Sequence, residues 1–312
     1  MPPHSRGPGP PAVVPVPGIS DVERFGEAAG RGDLLIELPH GATKAREFEA
    51  VRDRLRGPFP DDLEAFFFAN TDVGSPEAAR ALARRLVDDP VSRCRSVVVL
   101  RSLVPRTFID CNRMLDATVE SLGEANLTAA VPGYVGDRGD REALTAMHRA
   151  YAETSERAYD LVCGAGGLAL QLHTYAPRSV GITRVDADIV RALRDAYRPE
   201  VYATWPERPE VEVICEDTAG EPMAARPIVD AVLGAYRDAG FDARKNVTYR
   251  LHPGTWGHGH ARRYPDRTLC VELNRASLAD PFTPFAEMRI SQAKVDRMVA
   301  PLAGALARTA FT

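Results

Sequence analysis

LLIELPHGAT, residues 34–43, is the stretch on which the reading of this chain turns. An aliphatic run broken only by Glu37 makes a short buried strand. Pro39 has no N–H with which to continue the pairing, and Gly41 allows a sharp turn. His40 is thereby set at the rim of a sheet with its ring presented outward, where open α/β sheets receive their ligands. A histidine there also has a plain structural reading, as a residue that finishes a strand by bonding a nearby carbonyl. Other stretches must decide between the two.

Further strand-type runs are SVVVL (96–100), TFID (107–110), LALQLH (168–173), VEVIC (211–215), NVTYR (246–250) and TLCVEL (268–273). Several are continuously apolar, as strands covered on both faces are. Helical patterns lie between them. Ser75-Pro76-Glu77 reads as a Ser cap with Pro in the first turn. Residues 141–162 make a long amphipathic pattern, residues 227–240 stop at Gly240, and residues 292–307 are interrupted by Pro301. The alternation predicts an α/β fold, a three-layer sandwich with a mixed, mostly parallel sheet and helices on both faces. This single domain is expected over residues 19–312, after a flexible Pro/Gly-rich arm at residues 1–18. Residues 187–226 read as a loop-rich elaboration beside the core.

Composition narrows the partners. The 312 residues carry a net charge of −4, which disfavours nucleic acid, since phosphate binding needs a concentrated basic face. No apolar run approaches the roughly 20 residues that span a bilayer, so no membrane association is expected. The N-terminal stretch lacks the basic and apolar regions of a secretory signal. Cys94, Cys111, Cys163, Cys215 and Cys270 are odd in number and unpaired in spacing. They read as small buried hydrophobes in a reducing compartment, hence a cytoplasmic location.

LALQLHT repeats the opening device, with His173 at the end of a strand. If the two strands are parallel in one sheet, both imidazoles emerge at the same edge. Two imidazoles and one carboxylate form a catalytic zinc set that leaves a fourth position for water. Asp72, in TDVG, is the candidate carboxylate, with Glu47 in reserve. Its plain reading is a turn or capping residue. Glu37 is a poorer ligand because it alternates inside its strand. Glu272 lies near the end of an apolar run, where an ionised carboxylate is costly unless paired or functional. Beside a zinc-activated water it suits a general base and then proton donor. Its plain reading is an ion pair with Arg275. In PRTFIDCNR (105–113), Asn112 and Arg113 suit bidentate capture of a carboxylate, and Arg106 suits an oxyanion. Arg113 reads equally well as a structural ion-pair residue. The glycines of CGAGG (163–167) lead into a strand rather than open a helix, so they read as a tight turn and not a phosphate cradle.

PHG, TDVG, DCNR, LHT and VELNR, in this order over about residues 30–280, resemble the N-formylglutamate amidohydrolase family, whose fold is related to zinc carboxypeptidases and aspartoacylases. The resemblance implies a zinc-carboxypeptidase-like fold, one Zn2+ per chain and hydrolysis of an amide beside a carboxylate. It implies His40, Asp72 and His173 as metal ligands, Glu272 as general base, and Asn112 with Arg113 as carboxylate anchor. The substrates it implies are small N-acyl amino acids, with a peptide C-terminus, as in a carboxypeptidase-like enzyme of a biosynthetic pathway, as the alternative. A metal-free binding protein for an acidic ligand is the non-enzymatic alternative. The sequence departs from the family where Val73-Gly74 follows the TD pair. It departs again in NVTYRLHPGTWGHGHARRYP, which holds His252, His258 and His260. That segment is expected to be a glycine-rich loop whose Trp256 and His258 touch the substrate.

Overall fold

Leu34–Leu38 folds as a strand with all five residues buried, as its aliphatic content requires. The structure, a computed structural model, describes residues 12–27, 32–117, 122, 127–182 and 184–311. In chain order its strands are β1 (Ser20–Gly26), β2 (Leu34–Leu38), β3 (Ser96–Ser102), β4 (Leu168–Tyr175), β5 (Val211–Ile214), β6 (Ala243–Lys245) and β7 (Thr268–Asn274). They form one sheet of order β1-β3-β2-β4-β7-β5-β6. The central strands β3, β2, β4 and β7 run parallel to one another. β1 is antiparallel to β3, β5 is antiparallel to β7, and β6 is parallel to β5. The helices are α1 (Ala45–Arg52), α2 (Leu63–Asn70), α3 (Ser75–Asp88), α4 (Arg138–Val162), α5 (Ile189–Ala196), α6 (Pro199–Tyr202), α7 (Arg226–Asp238), α8 (Trp256–Arg263) and α9 (Gln292–Thr309).

The two-residue period of a strand sends alternate side chains to opposite faces. Leu34, Ile36 and Leu38 of β2 meet Leu82 of α3, Val232 of α7 and Leu302 of α9 in one core. Leu35 points the other way, into a second core with Phe48 of α1, Phe67 of α2 and Tyr151 of α4. Glu37 shares the face of Leu35. Its carboxylate is buried but accepts four hydrogen bonds, from Tyr151, Ser155, Tyr159 and Gln171 at 2.7–3.1 Å. Donors on this scale remove most of the cost of burying the charge. Both faces of the sheet are thus covered by helices.

Several local expectations need correction. TFID is not a strand: residues 105–113 wind through turns, with Phe108 N–H on the Pro105 carbonyl and Asp110 N–H on the Ala130 carbonyl. Asn112 and Arg113 therefore sit on a loop. NVTYR is not a strand either, for a reason given below. α9 runs through Pro301 instead of breaking there, and α3 is capped by Gly74, with Ser75 as its first residue. Residues 187–226 carry α5, α6 and β5 rather than loop alone. Residues 1–11 of the expected arm lie outside the described residues, and Val13 is already buried in the second core. All five cysteines are buried and free. No helix among the described residues is long and apolar enough to cross a membrane.

Candidate active site

The parallel pairing of β2 with β4 sets both histidines at the same edge of the sheet. β2 ends at Leu38, and His40 follows in the turn. Gly41 is needed for closeness: a Cβ there would lie 2.2 Å from Cγ of Arg101. His173 is in β4 itself, and its ring centroid lies 5.0 Å from that of His40. Asp72 comes from the turn between α2 and α3. Its Oδ2 lies 2.9 Å from Nδ1 of His173 and 3.4 Å from Nδ1 of His40. One donor atom from each of the three falls within 4.8 Å of the others, and all three residues are buried. This is the one such cluster among the described residues.

The chemistry of this donor set fits a divalent cation. Asp110 Oδ1 lies 2.8 Å from Nε2 of His40. Arg113, His40 and Arg106 hold the Asp110 carboxyl well below the usual range, although burial acts to raise it. An ionised carboxylate only accepts, so Nε2–H of His40 is the donor there, and in a neutral imidazole that leaves the lone pair on Nδ1. That Nδ1 is buried, makes no hydrogen bond, and faces Asp72. A carboxylate behind an imidazole with its free nitrogen turned to a second carboxylate is the arrangement of a metal-binding histidine. Burial would raise the Asp72 carboxyl too, but His40 and His173 hold it well below its ordinary value.

Glu272 enters through strand register. β4 and β7 are parallel with His173 opposite Glu272, so the two side chains stand together on one face. Its Oε2 is buried without a hydrogen-bond partner. Burial pushes its carboxyl up to about 7, Asp72 adds to the rise, and the charges of His173 and Arg208 oppose it. It does not pair with Arg275. That guanidinium turns instead to Asp72, 3.8 Å away, and to the carbonyls of Ala69 and Thr174. Arg106 donates to Asp110 at 3.0 Å and reaches Asp72 at 4.0 Å. Arg113 lies 3.7 Å from Asp110 and donates to the Thr128 carbonyl, while Asn112 accepts from Gly257 N–H at 3.1 Å.

These groups open onto a cleft of about 700 Å3. His40, Asp72, Arg106, Asn112, Arg113, His173 and Glu272 all line it, whereas Trp256 and His258 do not. The expected loop around them is α8, capped by the Thr255 side chain, which accepts from His258 N–H. His258 faces Asp217 at 3.9 Å, and His252 accepts from Gly254 N–H. His260 is buried, stacked on Tyr159 with centroids 3.7 Å apart and bonded to Ser155 at 3.2 Å. Helix formation carries His258 and His260 away from the cleft, and His252, in the turn before the helix, does not line it either. Glu47, the reserve ligand, caps α1 by accepting from Thr43 and Lys44 and pairs with Arg101.

Asp110 and Arg208 were not singled out in the sequence. Asp110 stands inside DCNR, and the signal was its place in that motif. Arg208 has no local signal, because the cleft reaches it only through tertiary packing. Glu212 is a third: it lies opposite Glu272 across the β5–β7 pair, and its Oε1 accepts from the N–H groups of Val247, Thr248 and Tyr249 at 2.6, 2.6 and 3.3 Å. This grip removes those amides from any ladder, so residues 246–250 form no strand and 248–250 line the cleft.

No family model matches the chain, and no curated protein matches it. Solved structures share its α/β fold. One is N-formylglutamate amidohydrolase from Ralstonia eutropha JMP134, 16% identical, covering 93% of this chain and 96% of that one with a TM-score of 0.54. Another is a gene product from Agrobacterium tumefaciens, 17% identical, covering 93% of this chain and 94% of that one with a TM-score of 0.54. Identities this low show a common fold over nearly the whole of each chain.

Proposed function

We propose that the chain is a metal-dependent amidohydrolase that cleaves an N-acyl amino acid, with its sheet in a zinc-carboxypeptidase-like arrangement. The observation that carries this reading is the meeting of His40, Asp72 and His173 beside a buried, unpartnered Glu272 oxygen. The fold shared with an N-formylglutamate amidohydrolase supports it.

His40, Asp72 and His173 would hold the cation, with zinc the metal their nitrogen and oxygen donors favour. Such a cation supplies Lewis acidity to a carbonyl and to a water. Asp110 keeps the His40 ring turned to the site by accepting from its Nε2–H. Glu272 takes a proton from the attacking water at its free oxygen and returns it to the departing nitrogen. A carboxyl poised near neutrality is suited to both halves of that transfer. Arg106 faces the oxygen on which negative charge develops. Asn112 and Arg113 form the polar wall that orients the substrate, and that orientation lowers the entropic part of the barrier.

The test is metal analysis of the purified full chain together with hydrolysis of N-formyl and N-acetyl amino acids. The expected result is about one divalent cation per chain, lost in His40→Ala, and release of the free amino acid. A metal-loaded protein inert towards every N-acyl amino acid would remove this reading.

A further inference from the structure

Among the described residues, seven arginines line the cleft: Arg106, Arg113, Arg178, Arg184, Arg208, Arg250 and Arg275. Six are matched to carboxylates of the chain itself. Arg106 and Arg113 face Asp110, and Arg275 faces Asp72. Arg178 pairs with Glu207, Arg184 with Asp186, and Arg250 with Glu216. Among the described residues, Arg208 has only neutral partners. Its Nε donates to Ser179 Oγ at 2.9 Å and one terminal nitrogen donates to Tyr249 Oη at 3.0 Å. Its guanidinium carbon lies 5.1 Å from the Tyr175 ring centroid and 5.4 Å from that of Tyr249.

The surroundings fix the side chain without an ion pair within 4.0 Å among the described residues, although its charge is felt by Glu272 across the cleft. Tyr175 is buried and anchored through its hydroxyl to the Pro209 carbonyl. The Arg208 backbone N–H bonds the Pro177 carbonyl, which ties this segment to the end of β4. Tyr249 belongs to the wall gripped by Glu212. Aromatic faces stabilise a guanidinium but leave its remaining N–H groups free. Tyr175 follows His173 by two residues on the same face of β4, about 7 Å along the strand. The residue whose ring carries the charged fork therefore stands one strand repeat from His173, and Arg208 lines the same cleft as Glu272.

We propose that Arg208 is the carboxylate anchor of the substrate, a specificity-determining residue that reads an anionic group through its free guanidinium edge. The proposal deepens the amidohydrolase reading and rests on it for the nature of the ligand. It shifts the main charge contact away from Arg113, whose charge is already answered by Asp110.

Glutarate and its uncharged analogue glutaramide, titrated calorimetrically into the full chain, test this directly. Wild type should prefer glutarate, and Arg208→Gln should weaken glutarate about 10- to 100-fold while leaving glutaramide unchanged. Arg113→Gln should weaken it less. If Arg208→Gln does not fold, Arg208→Lys serves, since it keeps the charge and loses the fork; a several-fold weakening is expected. Unchanged glutarate affinity in the folded variant, or a wild type that does not distinguish the two compounds, overturns the proposal. Hydrolysis of N-formylglutamate by the same proteins separates the two readings. No hydrolysis by wild type, with Arg208-dependent glutarate binding intact, removes the hydrolase and leaves the anchor. Hydrolysis indifferent to Arg208→Gln removes the anchor and leaves the hydrolase.

Discussion

Asp110→Asn isolates the support behind the ligand cluster. The substitution keeps shape and removes charge from a group that accepts from His40 Nε2–H at 2.8 Å, Asn112 N–H at 2.9 Å and Arg106 at 3.0 Å. A hydrogen bond to a charged acceptor contributes about 1.5–3 kcal/mol and a neutral one about 0.5–1.5 kcal/mol. The His40 ring thus loses about 1–1.5 kcal/mol of orienting energy, close to a factor of 10 in affinity. Asparagine also turns an N–H2 group towards Arg106 or His40, where an acceptor is required. Outer partners of metal ligands are worth about 10- to 100-fold, so the expected loss of Zn2+ affinity lies in that range. Competition between the protein and a chelator of known affinity measures it, with a thermal melt to show that the fold persists. Zinc affinity within twofold of wild type in a folded Asp110→Asn protein would refute the assignment of Nδ1 as the ligating nitrogen.

Glu272→Gln should lower turnover about 100- to 10,000-fold and leave metal content unchanged, as element analysis beside an amidase assay will show. In metal-free protein the Glu272 carboxyl should titrate near 7 by carboxyl 13C NMR, because burial raises it. A bound cation should lower that midpoint by favouring the charged form. Since the base works deprotonated, kcat/KM should fall as pH drops below the midpoint, about tenfold per pH unit; a flat acid limb contradicts the role. Gly257→Ala would place a Cβ 2.4 Å from Oε1 of Gln171, whose amide is tied to Glu37. Overpacking of about 1–3 kcal/mol should appear in urea unfolding, and wild-type stability would show that Gln171 yields freely.

The positions of His40 and His173 were legible because each is punctuated locally, by Pro39 and Gly41 in one case and by the end of an apolar run in the other. Asp72 and Glu272 were legible through short motifs, and their convergence follows from strand order that no local pattern reveals. β1 was missed because SDVERFG mixes charges into an edge strand, where charged side chains guard the free rim. NVTYR has strand composition, yet Glu212 claims its amides. The glycines flanking His258 suggested a loop, while the cap at Thr255 made a helix that carries Trp256 and His258 away from the cleft. Arg208 and the pairing of Arg275 with Asp72 depend wholly on tertiary packing, so the sequence held no sign of either.

The carboxylate of Glu212 grips residues 247–249 through main-chain groups alone. Any three residues with free N–H groups satisfy it, proline excepted. The Thr248 side chain, which lines the cleft, can therefore be exchanged while the scaffold beneath stays fixed, whereas Tyr249 also holds Arg208 through its hydroxyl. One bank of the cavity can drift in shape without disturbing the ligand cluster on the neighbouring strands, and libraries that vary Thr248 are the natural place to redirect it.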